Sequence, residues 1–165
     1  KPVLYAANVD EASASVGNAL AREVESMAKA KGAEAAVISA AVEADIAQMP
    51  SAEQKEYLAH LGLSETGLAK VIRAGYRLLD LVTFFTAGPK EARAWTVRRG
   101  AKAPEAAGVI HTDFEKGFIR AETIACEDFL ACGGEQGAKD AGKMRLEGKD
   151  YLVQDGDVMH FRFAV

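Results

Sequence analysis

The chain has 165 residues, 49% of them apolar and 27% charged, with a formal net charge of −4. That suits one ordinary domain or two small ones and supplies enough apolar residues for a core. It excludes a membrane span, which takes ~20 consecutive apolar residues, and the strongly basic surface that marks a nucleic-acid binder by charge alone.

The acidity is uneven. Residues 1–70 hold 6 basic and 10 acidic side chains, whereas residues 71–165 hold 14 of each. Cys126 and Cys132 fit neither redox nor zinc-ligand spacing, and His60, His111 and His160 are scattered. Two reduced thiols in a cytosolic protein, with no metal site, are therefore expected. With Lys1 at the brink of a strand and no leader pattern, the amino terminus reads as a boundary cut from a longer chain.

Pro2 to Ala7 is a short apolar run that reads as a strand, and Asn8-Val9-Asp10-Glu11 follows it directly. Ser13 to Lys31 reads as a helix with Val16, Leu20, Val24 and Met27 on one face and Gly32 past its end. Ala33 to Ile38 is β-compatible and ends in Ser39-Ala40. Strand, helix and strand of this length make a βαβ unit with buried parallel strands. Ser51-Ala52-Glu53-Gln54 has the pattern of a capping box, opening a helix to Leu61 that Gly62 closes. Leu68, Val71, Ile72, Tyr76 and Leu79 space out as the packing face of another helix, with Lys70, Arg73 and Arg77 turned to solvent.

Past residues 79–82 the texture changes. Leu81 to Thr86 is β-branched and aromatic, Ala87 to Lys90 is a turn, and Ala92 to Arg98 completes a hairpin. Pro104 and Glu105 open a helix to about His111, and Phe118 to Ala125 is a third strand. A short helical turn at Glu127 to Leu130 precedes a Gly-rich loop from Gly133 to Gly142. Lys143 to Glu147, Tyr151 to Val153 and Asp157 to Phe163 finish as short strands, with a turn at Gln154 to Asp157. This order is α+β, unlike the first half.

Residues 81–165 resemble the TGS domain, a ubiquitin-like β-grasp module. Five longer stretches are similar to the YchF, or Obg-like ATPase, family of P-loop proteins: Leu81–Thr86, Arg93–Val97, Ala107–Phe114, Gly117–Glu122 and Val153–Val158, together with Lys1–Tyr5 and Asn8–Glu11. The resemblance implies that residues 1–80 are the carboxy-terminal α/β portion of a P-loop G domain, with parallel strands and helices. It implies an α+β, β-grasp TGS domain at 81–165. It further implies an intact protein that binds ATP or GTP with Mg²⁺, hydrolyses ATP, and meets ribosome or RNA through the TGS domain in the cytoplasm. No G-x-x-x-x-G-K-[ST] occurs in these residues, so no catalytic residue is expected here and nucleotide binding should be weak.

The same resemblance makes Asn8, Val9, Glu11, Ser39 and Ala40 the candidate base-reading residues. GTPases of this superfamily have Asn-Lys-x-Asp after one strand and Ser-Ala after the next, and their Asp accepts N1–H and N2–H of guanine. Glu11 is a methylene longer and Val9 replaces the Lys, which points to adenine, whose N6 donor and N7 acceptor suit an Asn amide. Glu43 and Asp45 read as solvated charges at a helix start. His111 and Asp113 suit packing or hydrogen bonding, and Trp95, Phe84 and Phe85 read as core. Arg93, Arg98, Arg99 and Lys102 form the densest basic cluster and are the candidate RNA contacts; a guarded strand edge would look the same. A reading from another class is a stand-alone β-grasp module that binds RNA or protein without nucleotide chemistry.

Overall fold

In the computed structural model, which describes residues 1–164, the first apolar run becomes β1 (Leu4–Asn8) and the second β2 (Glu34–Ile38). They pair in parallel, Leu4 opposite Glu34 and Asn8 opposite Ile38. A parallel pair needs a crossover, and α1 (Ala19–Ala30) provides it while packing on both strands. These elements belong to a first compact unit, Lys1–Leu79; a second begins at Asp80.

The helix starts later than the apolar spacing predicts. Asp10 accepts from the Ser13 N–H at 2.8 Å and holds Glu11–Ser13 in a 3₁₀ turn. Gly17 then takes a positive φ of 68°, and Asn18 caps the helix by accepting from the Ala21 N–H at 2.9 Å. The packing face differs too: Ala21 and Ala28 are buried, whereas Val16 and Leu20 are 76% and 70% exposed and Met27 is also exposed.

Beyond β2 lie α2 (Ala40–Gln48), α3 (Ser51–His60) and α4 (Gly67–Leu78). Val42, Ile46 and Leu58 join Ala14 in a small core. The capping box at Ser51 does not form. Pro50 precedes the first turn, and Gln54 instead donates its side-chain amide to the Ile46 and Met49 carbonyls, closing the end of α2. On α4 the expected packing stripe is only partly buried: Leu68, Ile72 and Leu79 are exposed and Val71 and Tyr76 half-buried, while Gly67 and Ala74 are fully buried. Small residues win the inner face because α4 approaches β2 closely. A Cβ at Gly67 would sit 3.0 Å from both Ile38 Cγ2 and Glu43 Oε1.

The second unit is a five-stranded mixed sheet in the order β4-β3-β7-β5-β6, with β3 at Leu81–Ala87, β4 at Ala92–Arg98, β5 at Phe118–Ala125, β6 at Arg145–Glu147 and β7 at Asp157–Phe163. β3 and β7 run parallel; the other pairs are antiparallel. Helix α5 (Ala103–Ile110) places Ala103, Ala106 and Ala107 against Val82, Phe84, Val97, Phe118, Met159 and Phe161. It ends at Ile110, and His111 starts a separate short helix, α6 (Thr112–Lys116), its Nδ1 accepting from the Asp113 N–H.

Helix α7 covers Cys126–Ala131. The glycine-rich stretch expected as a loop contains α8, Glu135–Asp140, entered through Gly134 at φ 114°. Tyr151 to Val153 forms a single bridge, Leu152 to Lys102, rather than a strand. Among the described residues no helix is long and apolar enough to cross a membrane.

Candidate nucleotide-base site

Parallel strands β1 and β2 end side by side, so the loops at Asn8 and Ser39 emerge together at the carboxyl edge of the pair, where open α/β sheets hold ligands. Asn8 Oδ1 accepts from the Ala40 N–H at 2.9 Å, joining the two loops across 32 residues of chain. The donor is a backbone N–H, so the Asn8 amide is oriented with its oxygen inward and Nδ2 left as a free-facing donor. Val9 donates its N–H to the Ile38 carbonyl at 2.8 Å and is only 8% exposed. It therefore locks the loop from within, with its side chain packed.

Ser39 precedes α2 but does not cap it. Its Oγ is buried without a hydrogen-bond partner among the described residues. A buried hydroxyl in that state costs about 1–3 kcal/mol, so a group supplied from outside has something to satisfy. The free N–H groups at the start of α2 add a partial positive charge at the same place. Glu11 is exposed at the beginning of the 3₁₀ turn. Burial first, and then the charges of Glu11 and Asp45, raise the Tyr57 phenol above its ordinary pKa.

Glu43 is not a solvated charge. Its two oxygens accept from the Gly67 and Leu68 N–H groups at 2.6 and 3.1 Å, clamping the first turn of α4 to α2. Sequence reasoning missed this because the partners lie far along the chain. The glycine at 67, which admits the carboxylate, is the one local hint.

In the second unit the basic cluster does not act as one patch. Arg93 stacks its guanidinium over the Trp95 ring at 4.2 Å, Arg99 pairs with Asp80 at 3.0 Å, and Lys102 pairs with Asp150 at 2.7 Å. Strand alternation puts Arg93 and Arg98 on opposite faces of β4, an edge strand. Arg98 alone of the four has no ion pair or ring contact among the described residues.

A second charged cluster lay outside the sequence reading. Arg162 grips both oxygens of Glu122 at 3.2 and 3.0 Å, and Arg120 lies 3.8 Å from the same carboxylate. The Arg162 hydrogen bonds hold Glu122 below the usual carboxylate range. Glu122, Glu135 and His160 offer ligand atoms within 4.8 Å of one another, but a carboxylate already claimed by arginine is a poor cation ligand.

The family model YchF-GTPase_C, described as "Protein of unknown function (DUF933)", matches residues 81–164. The chain belongs to the YchF family. The "Ribosome-binding ATPase YchF" of Haemophilus ducreyi is 60% identical over all 165 residues, which make up 45% of that protein. The protein of the same name from Bacillus subtilis is 54% identical over 167 aligned residues, 46% of its length. "Obg-like ATPase 1" of Gallus gallus is 51% identical over 76% of this chain and 31% of its own. The solved Schizosaccharomyces pombe YchF GTPase superposes with a TM-score of 0.84 at 34% identity, covering 98% of this chain and 43% of that one. The chain thus spans less than half the length of these relatives.

Proposed function

We propose that this chain is the base-reading end of a YchF-type nucleotide-binding domain followed by a TGS-like β-grasp module, within a protein that binds and hydrolyses ATP and engages the ribosome. The relatives' names, ribosome-binding ATPase and Obg-like ATPase, support the overall activity. The observation that carries the nucleotide reading is the Asn8–Ala40 hydrogen bond. It ties the Asn8 amide, through Oδ1, to the first residue of α2, next in sequence to Ser39 with its orphaned hydroxyl. A mixed sheet with parallel first and last strands and a helix across one face supports the β-grasp reading.

In this reading Asn8 Nδ2 donates to N7 of the base, Ser39 Oγ meets a polar edge of it, and Ala40 holds Asn8 in place through its N–H. Glu11, a methylene longer than the Asp of a guanine reader, is misplaced for accepting N1–H and N2–H together, so guanine loses its bidentate contact and ATP is preferred. The nucleotide would supply the phosphoryl group and, with Mg²⁺, the charge neutralisation for its transfer. No step of that transfer is assigned to these residues, which contain no phosphate-cradling motif. Residues 81–164 provide the ribosome- or RNA-facing module, with Arg98 as the candidate contact best free to serve.

Competition titrations with ATP and GTP on the full-length protein test the base reading. Glu11→Asp should move preference toward GTP by up to about 1–3 kcal/mol, the scale of one bidentate contact. Asn8→Ala should weaken both nucleotides. Val9→Lys is a poor companion because it would bury an ammonium where Val9 is packed. An unchanged ATP-to-GTP ratio in Glu11→Asp would remove this loop as the selectivity filter.

A further inference from the structure

The hydrogen-bond phase of the β1–β2 ladder leaves one edge of β2 open. Glu34 donates its N–H to the Val3 carbonyl and Ile38 accepts from the Val9 N–H, so residues 34, 36 and 38 turn their backbone toward β1. Ala35 and Val37 turn theirs outward, with no partner among the described residues. Exposed strand edges are normally guarded by proline, lysine or a bulge. β2, Glu-Ala-Ala-Val-Ile, has none of these.

A cavity of about 330 Å³ lies along this edge. It is lined by Ala35, Ala36 and Val37 and by residues before and within α1 and on α4, with none from β1. A space that meets both flanking helices and β2 alone must sit beside the free edge.

Its two walls differ. Val37 faces the α1 side, where Gly17 leaves room and Val16 is 76% exposed. Glu34 and Ile38 face α4, through Arg77 and Gly67. On that wall Lys70, Arg73 and Arg77 line the cavity at helical spacing. Arg73 is held by Glu65 and Arg77 by Glu34, in pairs whose arginines are 62% and 56% exposed; Lys70 has no ion pair among the described residues. Exposed pairs of this kind are weak and exchangeable. Two acidic residues also line the cavity, Glu25 on the α1 side and Glu65 just before α4, against the three cations.

We propose that the open edge of β2 is a strand-addition site for an extended peptide, from a partner protein, in which acidic residues alternate with apolar ones. The added strand satisfies the outward backbone groups of Ala35 and Val37. Its period of two sends one set of side chains to the three cations of α4 and the other to the apolar wall at Val16. The site lies apart from the base-reading loops and does not depend on nucleotide binding.

The test titrates the 165-residue chain with two blocked peptides, one alternating glutamate with valine and one alternating lysine with valine, and follows amide exchange by NMR. The acidic peptide should slow exchange at Ala35 and Val37 and bind on the order of tenfold more tightly than the basic one at low salt. Lys70→Glu with Arg73→Glu, the first half-buried and the second exposed, should reverse that preference. Ala35→Pro, which removes an outward N–H and leaves the inward ladder intact, should abolish binding of either. The proposal is overturned if the two peptides bind alike, if neither binds, or if the amides are already protected in a peptide-free chain that sediments as a dimer, since a second copy would then be the occupant.

Discussion

Asp157 is 3% exposed and collects three donors: the Tyr151 hydroxyl at 2.7 Å, the Gln154 N–H at 2.9 Å and an Arg145 guanidinium nitrogen at 3.3 Å. Burial, then the hydrogen bond to Asp157, pushes the Tyr151 phenol well above its ordinary pKa. An acid whose folded pKa is raised contributes stability that is complete below its unfolded value of about 10 and is lost as pH climbs above it. Tyr151→Phe should therefore cost about 1 kcal/mol at neutral pH and reduce the alkaline loss of stability; urea unfolding at pH 7 and about pH 10.5 measures both. Glu122 works in the opposite direction. Its depressed carboxyl stabilises the fold above an unfolded value of about 4.3, and that contribution disappears as pH falls below it. Arg162→Gln should flatten the acid limb of the stability profile, and an unaltered limb in acid-unfolding titrations would assign it to other carboxyls.

At the scale of elements, helix ends were less legible than helix existence. Apolar spacing located α1 but started it at Ser13, because a 3₁₀ turn and Gly17 interrupt a run whose composition looks continuous. Asn18, the residue that does cap it, carried the information as a lone N-cap type. Asn18→Ala should cost about 1 kcal/mol and Ser15→Ala far less, with the far-ultraviolet signal in denaturant as the readout. The stripe on α4 was recognised but its centre misplaced, since the sequence could not show that Gly67 and Ala74, not Leu68 and Ile72, take the position nearest β2. The pairing that fixes its first turn is tertiary. Glu43→Ala would strip the Gly67 and Leu68 N–H groups of their acceptor and should cost about 1–3 kcal/mol, lowering amide protection at the start of α4 before that of β1.

At the scale of the molecule, each unit has its own buried cluster, Val42, Ile46 and Leu58 in the first and Phe84, Met159 and Phe161 among others in the second. Most strands of the second unit were readable from alternation and turns, whereas their order in the sheet was not, and α8 was hidden by its glycines. That the loops after Asn8 and Ile38 emerge together was legible because two parallel strand ends fix them; the neutralisation of Arg99 and Lys102 was not, because Asp80 and Asp150 are distant in sequence. Since the 165 residues contain no phosphate-binding motif, the purified chain should release no phosphate from ATP or GTP. Sustained release that survives Asn8→Ala in a contaminant-free preparation would contradict that expectation.

The bond between Asn8 and Ala40 also bears on chemical ageing. Spontaneous hydrolysis of the Asn8 amide would leave a carboxylate of nearly the same shape, still able to accept from the Ala40 N–H. In the base-reading arrangement proposed above, the outward nitrogen would become a negatively charged oxygen where N7 of the base needs a donor. An aged sample would keep its melting behaviour and its spectrum while losing affinity for nucleotide, and its mass would rise by about one dalton.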